Sequence, residues 1–332
     1  MANVRILLLA LCIISSFATA SQTKTLCVFD PLGANGDAYN LIQDYVLEVS
    51  TSEIQFKLRP YTDESVALGD FLTNKCDIIA ATGMRLRELS PFSGSISAVG
   101  AIPTYPELKT LIKILSRPKA KKYMDNGKFS VLGIFPLGAG YLFVDDKKIS
   151  SVKALAGKRI ATLDYQKDAI HMVNHVGATV VPSDITNFGG KFNNKSVNIC
   201  YAPAFAYNAY ELYKGLNDKG GIINYPLAQI TLQLLTRSGN FETTFEQDSL
   251  RASSRLFDKA LTIAQKHEND INKEYWIDIS KQDISGYQEM FRQNRLELRD
   301  KGSYNKTMLT LMRQIRCRTN AQSSECSSDD KE

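Results

Sequence analysis

The chain has 332 residues, 44% of them hydrophobic, and a formal net charge of +5, which suffices for one large or two medium domains with a proper core. So mild a basic excess excludes a nucleic-acid footprint, which needs Lys and Arg clustered on one face; the run Lys119-Ala-Lys-Lys122 reads as a solvated helix face. After the first twenty residues no uncharged apolar run approaches the roughly 20 residues of a membrane span.

The opening residues read as a targeting segment. Arg5 supplies a positive n-region, an apolar run follows from Ile6 to about Phe17, and Ala18-Thr19-Ala20 precedes Ser21. This is the order of a cleaved secretory signal peptide over residues 1–20. The expected location is therefore the periplasm, with a mature chain from Ser21 carrying +5 less the one charge of Arg5, or +4. Cys12 lies inside the h-region, too early for a lipoprotein site. The other five cysteines contain no CxxC, so a thioredoxin-like or zinc-ribbon site is unsupported. Five is odd, so one thiol is expected to stay free in an oxidising compartment.

Thr25–Phe29 reads as a buried strand that runs into a turn-rich loop, residues 30–37, with Asp37 placed to cap a helix bearing Leu41, Ile42, Tyr45 and Val49 on one face. Glu53–Arg59 alternates like a strand, Glu64–Asn74 is helical, and Cys76–Ala81 is a short apolar strand ending at Thr82-Gly83. A second block of the same kind follows. Tyr105–Leu115 is helical, Val131–Phe135 and Leu142–Val144 are extended, Val152–Leu155 is a helical turn, and Lys158–Leu163 is a strand. Asp168–Val176 is a helix, and Thr179–Val181, Ser196–Tyr201 and Ile230–Thr236 are strands. Leu250–Lys266, Ile284–Leu298 and Lys306–Arg316 are amphipathic helices, and beyond Cys317 a polar, Ser-rich tail is expected to fray. Strands alternating with helices predict an α/β fold with a parallel sheet. The expected division is a first lobe, 21–137 plus 237–316 with the C-terminal helices, a second lobe, 138–236, nested inside it, and a tail, 317–332. Such sheets bind ligands beyond the carboxyl ends of their strands, here residues 30–37, 82–91, 136–141, 164–168 and 202–208.

Leu137-Gly-Ala-Gly-Tyr-Leu-Phe-Val144, Val152-Lys-Ala-Leu-Ala-Gly-Lys-Arg-Ile-Ala-Thr162, Met172-Val-Asn-His-Val-Gly-Ala-Thr-Val-Val-Pro182 and Asn198-Ile-Cys-Tyr-Ala-Pro203 occur in that order. Together they resemble the middle of periplasmic solute-binding proteins of tripartite ATP-independent (TRAP) transporters, and Cys76-Asp77-Ile-Ile is similar to a first-lobe strand of that family. The resemblance spans about residues 25–293 and implies a two-lobed periplasmic-binding-protein-like fold with a cleft between lobes. The family's arginine, which holds a substrate carboxylate, would fall at Ala161 or Thr162, depending on which glycine is aligned, and neither is basic. Strand alternation is expected to turn Arg159 to the wrong face. The chain also resembles a divergent group of exported solute-binding proteins, some of whose relatives carry an efflux-associated, AdeT-type label. An efflux adaptor needs a long coiled-coil hairpin, and no sustained heptads occur.

Several residues at strand ends are candidates for ligand contact. Arg85, nearest the end of its strand, and Arg87 could hold a carboxylate through paired hydrogen bonds, or could instead pair with Glu88. Lys167, at a helix start, could stand in for the missing arginine, and Tyr165 could stack on a flat ligand. Tyr201 and Phe205 are placed as aromatic walls, Tyr207 and Tyr210 as helix packing, and the backbone around Gly33–Asn35 could approach a ligand. His171 and His175 share a helix face but lack the glutamate of a zinc motif, and read as surface histidines. Neither a metal nor another cofactor is expected, and without a G-x-S-x-G motif or an evident nucleophile–base pair neither is an enzyme. For the disulfides, Cys27 and Cys76 lie near the starts of strands expected to be neighbours, and Cys317 and Cys326 would form a second, shorter bridge that leaves Cys200 free; Cys200–Cys317 is the competing pairing.

The function these features suggest is capture of a small polar or anionic organic solute and its delivery to inner-membrane transporter subunits by hinge closure, by a monomer with no nucleic-acid partner. The alternative is an exported interaction or regulatory module serving an efflux or sensor complex.

Overall fold

A computed structural model describes residues 22–327 and residue 332. The expected signal peptide, 1–20, lies outside the described residues. The strands are β1 (Gln22–Phe29), β2 (Ile54–Tyr61), β3 (Ile78–Thr82), β4 (Phe129–Val144), β5 (Arg159–Leu163), β6 (Thr179–Ser183), β7 (Ile199–Pro203), β8 (Gly221–Ile223), β9 (Ala228–Arg237) and β10 (Trp276–Ile277). They form one sheet in the order β2-β1-β3-β9-β4-β7-β5-β6, with β8 joining β4 to β10.

Two long strands carry this sheet from one lobe to the other. The first half of β4 pairs with β9, which pairs on its other edge with β3; the second half of β4, Gly140–Val144, pairs with β7. The sheet is therefore mixed. Parallel pairings hold at the two ends, as expected, but β9 runs antiparallel between β3 and β4, and β4 runs antiparallel to β7 and β8. The two short strands read at 131–135 and 142–144 are one strand of 16 residues. The Pro-Leu-Gly-Ala-Gly stretch between them does not turn. It makes a bulge between Pro136 and Gly138, with Gly138 at φ +113°, which only glycine adopts readily. A bulge also tolerates the missing N–H of Pro136.

Helices cover both faces, as period-3.6 patterning requires. On the first lobe, Phe71, Leu108, Leu111, Phe257 and Met308 pack on one side of the sheet, and Ile42, Tyr45 and Phe135 on the other. On the second, Phe143, Phe192 and Cys200 share one core, and Val144, Ile160, Tyr287 and Phe291 the opposite one. The helix Asp37–Val49 is not capped by Asp37, which is its first residue. Asp30 takes that role from the loop, accepting the N–H groups of Ala38 at 2.9 Å and Tyr39 at 3.1 Å. Gly36 lets the carboxylate in, since a Cβ there would stand 1.8 Å from Asp30 Oδ1. The single helix read at 250–266 is two, Thr243–Arg255 and Phe257–Asp270.

Cys27 is bonded to Cys76 (Cα–Cα 5.9 Å) and Cys317 to Cys326 (5.6 Å), and Cys200 is a free, buried thiol. The tail does not fray as expected over its described part. Arg295 and Arg316 are buried on the helices Lys281–Asp300 and Lys306–Thr319. Both need counter-charges, which Glu325 and Glu332 supply at 2.6–3.2 Å. Burial alone would raise the Glu325 carboxyl, but the hydrogen bond and charge of Arg316 hold it below the usual carboxylate range.

Candidate functional site

The carboxyl ends of β1, β3, β5 and β7 converge on a cavity of about 90 Å³ between the lobes. The first lobe contributes Phe29 from the end of β1, Thr82 from β3, Glu64 from the start of the helix Glu64–Leu72, and Met84. The second contributes Leu163 and Tyr165 from the end of β5, Gln166 and Asp168 from the helix start that follows, Tyr201 from β7, and Phe188, Phe205 and Tyr210. Leu137, Gly140 and Ile230 of the crossing strands form the back wall. This space is smaller than the ~150 Å³ engineered cavity that holds benzene, so loading requires the lobes to part or the aromatic walls to turn. Phe205, with Phe29 and Leu137, also borders a second cavity, of about 100 Å³, lined by Asp30, Asp37 and His267 among others.

The lobes are clasped around the cavity by polar contacts. Tyr165 donates its hydroxyl to Glu64 Oε1 at 2.6 Å, and the Arg85 guanidinium lies 3.4 Å above the Tyr165 ring with its Nε 3.4 Å from the same carboxylate oxygen. Burial, reinforced by the charge of Glu64, pushes the Tyr165 phenol far above its ordinary range, so it remains a donor. Arg87 meets Asp168 at 2.6 Å and donates to Gly94 O and Ser97 Oγ. Burial disfavours the Asp168 charge, but Arg87 and the Tyr304 hydroxyl, 2.8 Å away, hold its carboxyl below the ordinary value. Gln166 donates from Nε2 to Met84 Sδ at 2.9 Å and accepts from the Tyr201 hydroxyl at 2.6 Å; that hydroxyl also accepts from the Leu163 amide.

Of the residues expected at a ligand, Tyr165, Tyr201 and Phe205 lie on the cavity wall. Arg85 stands behind Tyr165, its guanidinium already engaged. Lys167 points outward and meets Glu88 at 2.7 Å, both side chains 76% exposed. Asn35 is exposed on its loop and is not part of either cavity wall. Tyr210, expected to pack its helix, faces the cavity edge-on to Phe188. Arg159 shares the face of Ala161, because residues two apart on a strand do; the expected opposite facing is incorrect. What removes Arg159 from the cavity is its place at the first residue of β5, where it is exposed and donates to Lys195 O. His171 faces Asn294, Glu297 and Lys301 rather than a shared ligand with His175. Glu64, Gln166 and Asp168 are not among the side chains expected at a ligand, although 166 and 168 fall in the strand-end segment 164–168. Each sits at or just before the first residues of a helix after a strand end, and that position is the signal that could have found them.

A family model described as "Solute-binding protein AdeT 1/2" matches residues 48–331. The chain is 37% identical over 303 residues to the probable solute-binding protein AdeT1 of Acinetobacter baumannii, covering 91% of this chain and all of that one. It belongs to the AdeT 1/2 solute-binding protein family. The probable solute-binding protein AdeT2 of the same organism is 28% identical over 238 residues, 70% of this chain and 98% of its own. Among solved structures, a TRAP periplasmic solute-binding protein from Desulfovibrio salexigens with bound orotic acid superposes with a TM-score of 0.74 at 12% identity, covering 89% of this chain and 99% of that one. This member of the AdeT family thus has the two-lobed fold of TRAP solute-binding proteins. Among its described residues no helix is long and apolar enough to cross a membrane.

Proposed function

We propose that the chain is exported past the leader at 1–20, works in the periplasm, and captures a small organic solute between its lobes for delivery to inner-membrane transporter subunits. It does so as a monomer, without catalysis and without nucleic acid. The observation that carries this reading is the cavity itself, walled by strand ends of both lobes and spanned by Tyr165–Glu64 and Arg87–Asp168. Contacts made from both sides exist only when the lobes are closed, so ligand shifts the population towards closure. The lobes follow the division at 21–137 plus 237–316 and 138–236, except that β10 pairs with β8 and the helix Lys281–Asp300 packs Tyr287 and Phe291 onto the second lobe, and the bulge at Gly138 with its β9 partner Ile230 is the hinge. Tyr165, Tyr201 and Phe205 contact the solute directly. Arg85 acts through Tyr165, and Lys167 with Glu88 latches the mouth. The orotic acid in the Desulfovibrio protein supports a small organic solute as cargo.

A docking module would need a large contiguous apolar patch. The large apolar side chains most exposed among the described residues, Leu32, Leu47, Val66, Leu72, Tyr123 and Tyr213, are spread over five parts of the chain instead, with only Val66 and Leu72 on one helix. The test is mass spectrometry of small molecules released on denaturing protein purified from the periplasm, with small-angle scattering before and after the ligand is restored. A stoichiometric small molecule and a smaller radius of gyration on its return are expected. An empty extract and an unchanging radius would overturn capture.

A further inference from the structure

The charged groups on the cavity wall have one sign. Glu64 and Asp168 line it, and among the described residues that line it there is no arginine, lysine or histidine. The two guanidiniums nearest by sequence are used elsewhere: Arg85 on Glu64 and the Tyr165 ring, Arg87 on Asp168, Gly94 O and Ser97 Oγ. An entering carboxylate would meet no free cation, since both nearby guanidiniums are already paired with the wall's own carboxylates, and a desolvated charge without a counter-ion is costly.

One polar atom left over asks for a donor. Asp168 is 6% exposed; its Oδ2 is taken by Arg87 and Tyr304, and its Oδ1 is buried without a hydrogen-bond partner. The Tyr210 hydroxyl is also buried and unpartnered, and can accept from a ligand or donate to one. A buried acceptor in this state is destabilising until something donates to it. The rest of the wall is mostly apolar and aromatic, with Phe29, Phe188 and Phe205 among its lining, and aromatic ring faces attract cations through their quadrupole.

We infer that the solute is a small organic amine, with an N–H group bound by Asp168 Oδ1 and the Tyr210 hydroxyl and an apolar body held among the aromatic walls. This rests on the capture reading and narrows its cargo from polar or anionic to a polar N–H donor. The paired guanidiniums leave the wall neutral overall, so the amine is held by hydrogen bonding and ring contact rather than by a large field.

Leader-free protein, stripped of ligand by unfolding and refolding, is tested by calorimetry and thermal shift against amines and carboxylates of matched skeleton. The pairs are phenethylamine with 3-phenylpropionate, tryptamine with indole-3-propionate, and cyclohexylamine with cyclohexanecarboxylate. At least one amine is expected to bind one-to-one and raise the melting temperature, and its carboxylate partner to do neither. Asp168→Asn should weaken that amine about ten- to a hundredfold. Because that change also leaves Arg87 buried alone, Tyr210→Phe is the second variant, with a loss of about three- to tenfold. Carboxylates binding in preference to amines overturn the inference and leave capture standing. So does a co-purifying molecule without basic nitrogen when neither series binds. No binding by either series together with an empty extract overturns both.

Discussion

Tyr165 of the second lobe and Glu64 of the first share a 2.6 Å hydrogen bond in which the carboxylate is wholly buried. Neither side chain is satisfied in this way when the lobes part, so the pair is part of the closing free energy. Tyr165→Phe keeps the ring on which Arg85 rests and removes only the donor. A buried acceptor losing one partner costs about 1–3 kcal/mol, and the cost should fall on closure rather than on folding. We expect a more open unliganded protein in small-angle scattering, weaker ligand binding and a melting temperature close to that of the parent. An unchanged scattering profile would remove this bond from the hinge equilibrium.

The Arg87–Asp168 pair sets an acid limit. Burial opposes ionisation of Asp168, but Arg87 and Tyr304 more than offset it and the folded carboxyl titrates below its ordinary value of 3.8. A depressed carboxyl contributes stability that is present above the unfolded value and lost as pH falls through the folded one. Asp168→Asn, which leaves the Arg87 charge without its partner, should cost about 3–5 kcal/mol at pH 7. That difference from the parent should shrink once pH drops below 3.8. Urea unfolding at pH 7 and at pH 3 reads both numbers; a constant difference would show that the carboxylate charge is not what matters.

The two disulfides should differ in weight. Cys27–Cys76 closes a separation of 49 residues and Cys317–Cys326 one of 9. Loop-closure entropy then gives about 4 kcal/mol for the first and about 2.6 kcal/mol for the second. Replacing each pair by Ser or Ala should lower denaturant midpoints in that order. Peptide mapping without reduction should recover both cross-linked peptides and a labelled thiol only at Cys200 after unfolding. A larger loss from the short loop would contradict the entropic ordering.

Gly138 is the position where a side chain is least welcome on the crossing strands. Its φ is +113°, and a Cβ would also stand 3.4 Å from Ala264 Cβ. Gly138→Ala should destabilise by about 1–3 kcal/mol through backbone strain and change the rate of ligand association more than a substitution at an exposed loop glycine such as Gly127. Stopped-flow binding on both variants makes the comparison.

The alternation of apolar strands with amphipathic helices made most of the first lobe and the helix Tyr105–Leu115 legible, because local periodicity determines which face is buried. Pairing across the sheet was less so. Cys27 and Cys76 could be matched since β1 and β3 are parallel neighbours, although Cys27 is the sixth residue of β1 rather than near its start; the antiparallel insertion of β9 between β3 and β4 has no local signature. Gly138 misled for a related reason, as a glycine-rich stretch reads as a turn whether the chain reverses there or bulges. At the site, aromatic residues just past strand ends were visible as wall material. Glu64 and Asp168 were not, because a carboxylate at a helix start looks like ordinary helix-end chemistry until the opposite lobe is in place. Arg85 and Arg87 were noticed for the same charge that the structure shows already neutralised.

The placement of β9 also governs the order in which the sheet can be completed as the chain folds. The far edge of β3 and one edge of β4 stay open until β9 arrives, since that strand covers both. Open strand edges are templates for pairing between chains. During that interval β1 and the entrance to β3 are held together by chain that precedes β9, and Cys27–Cys76 is drawn entirely from that portion. The cross-link is therefore placed to act early, holding a half-built sheet in register while the strand that completes it is still on its way.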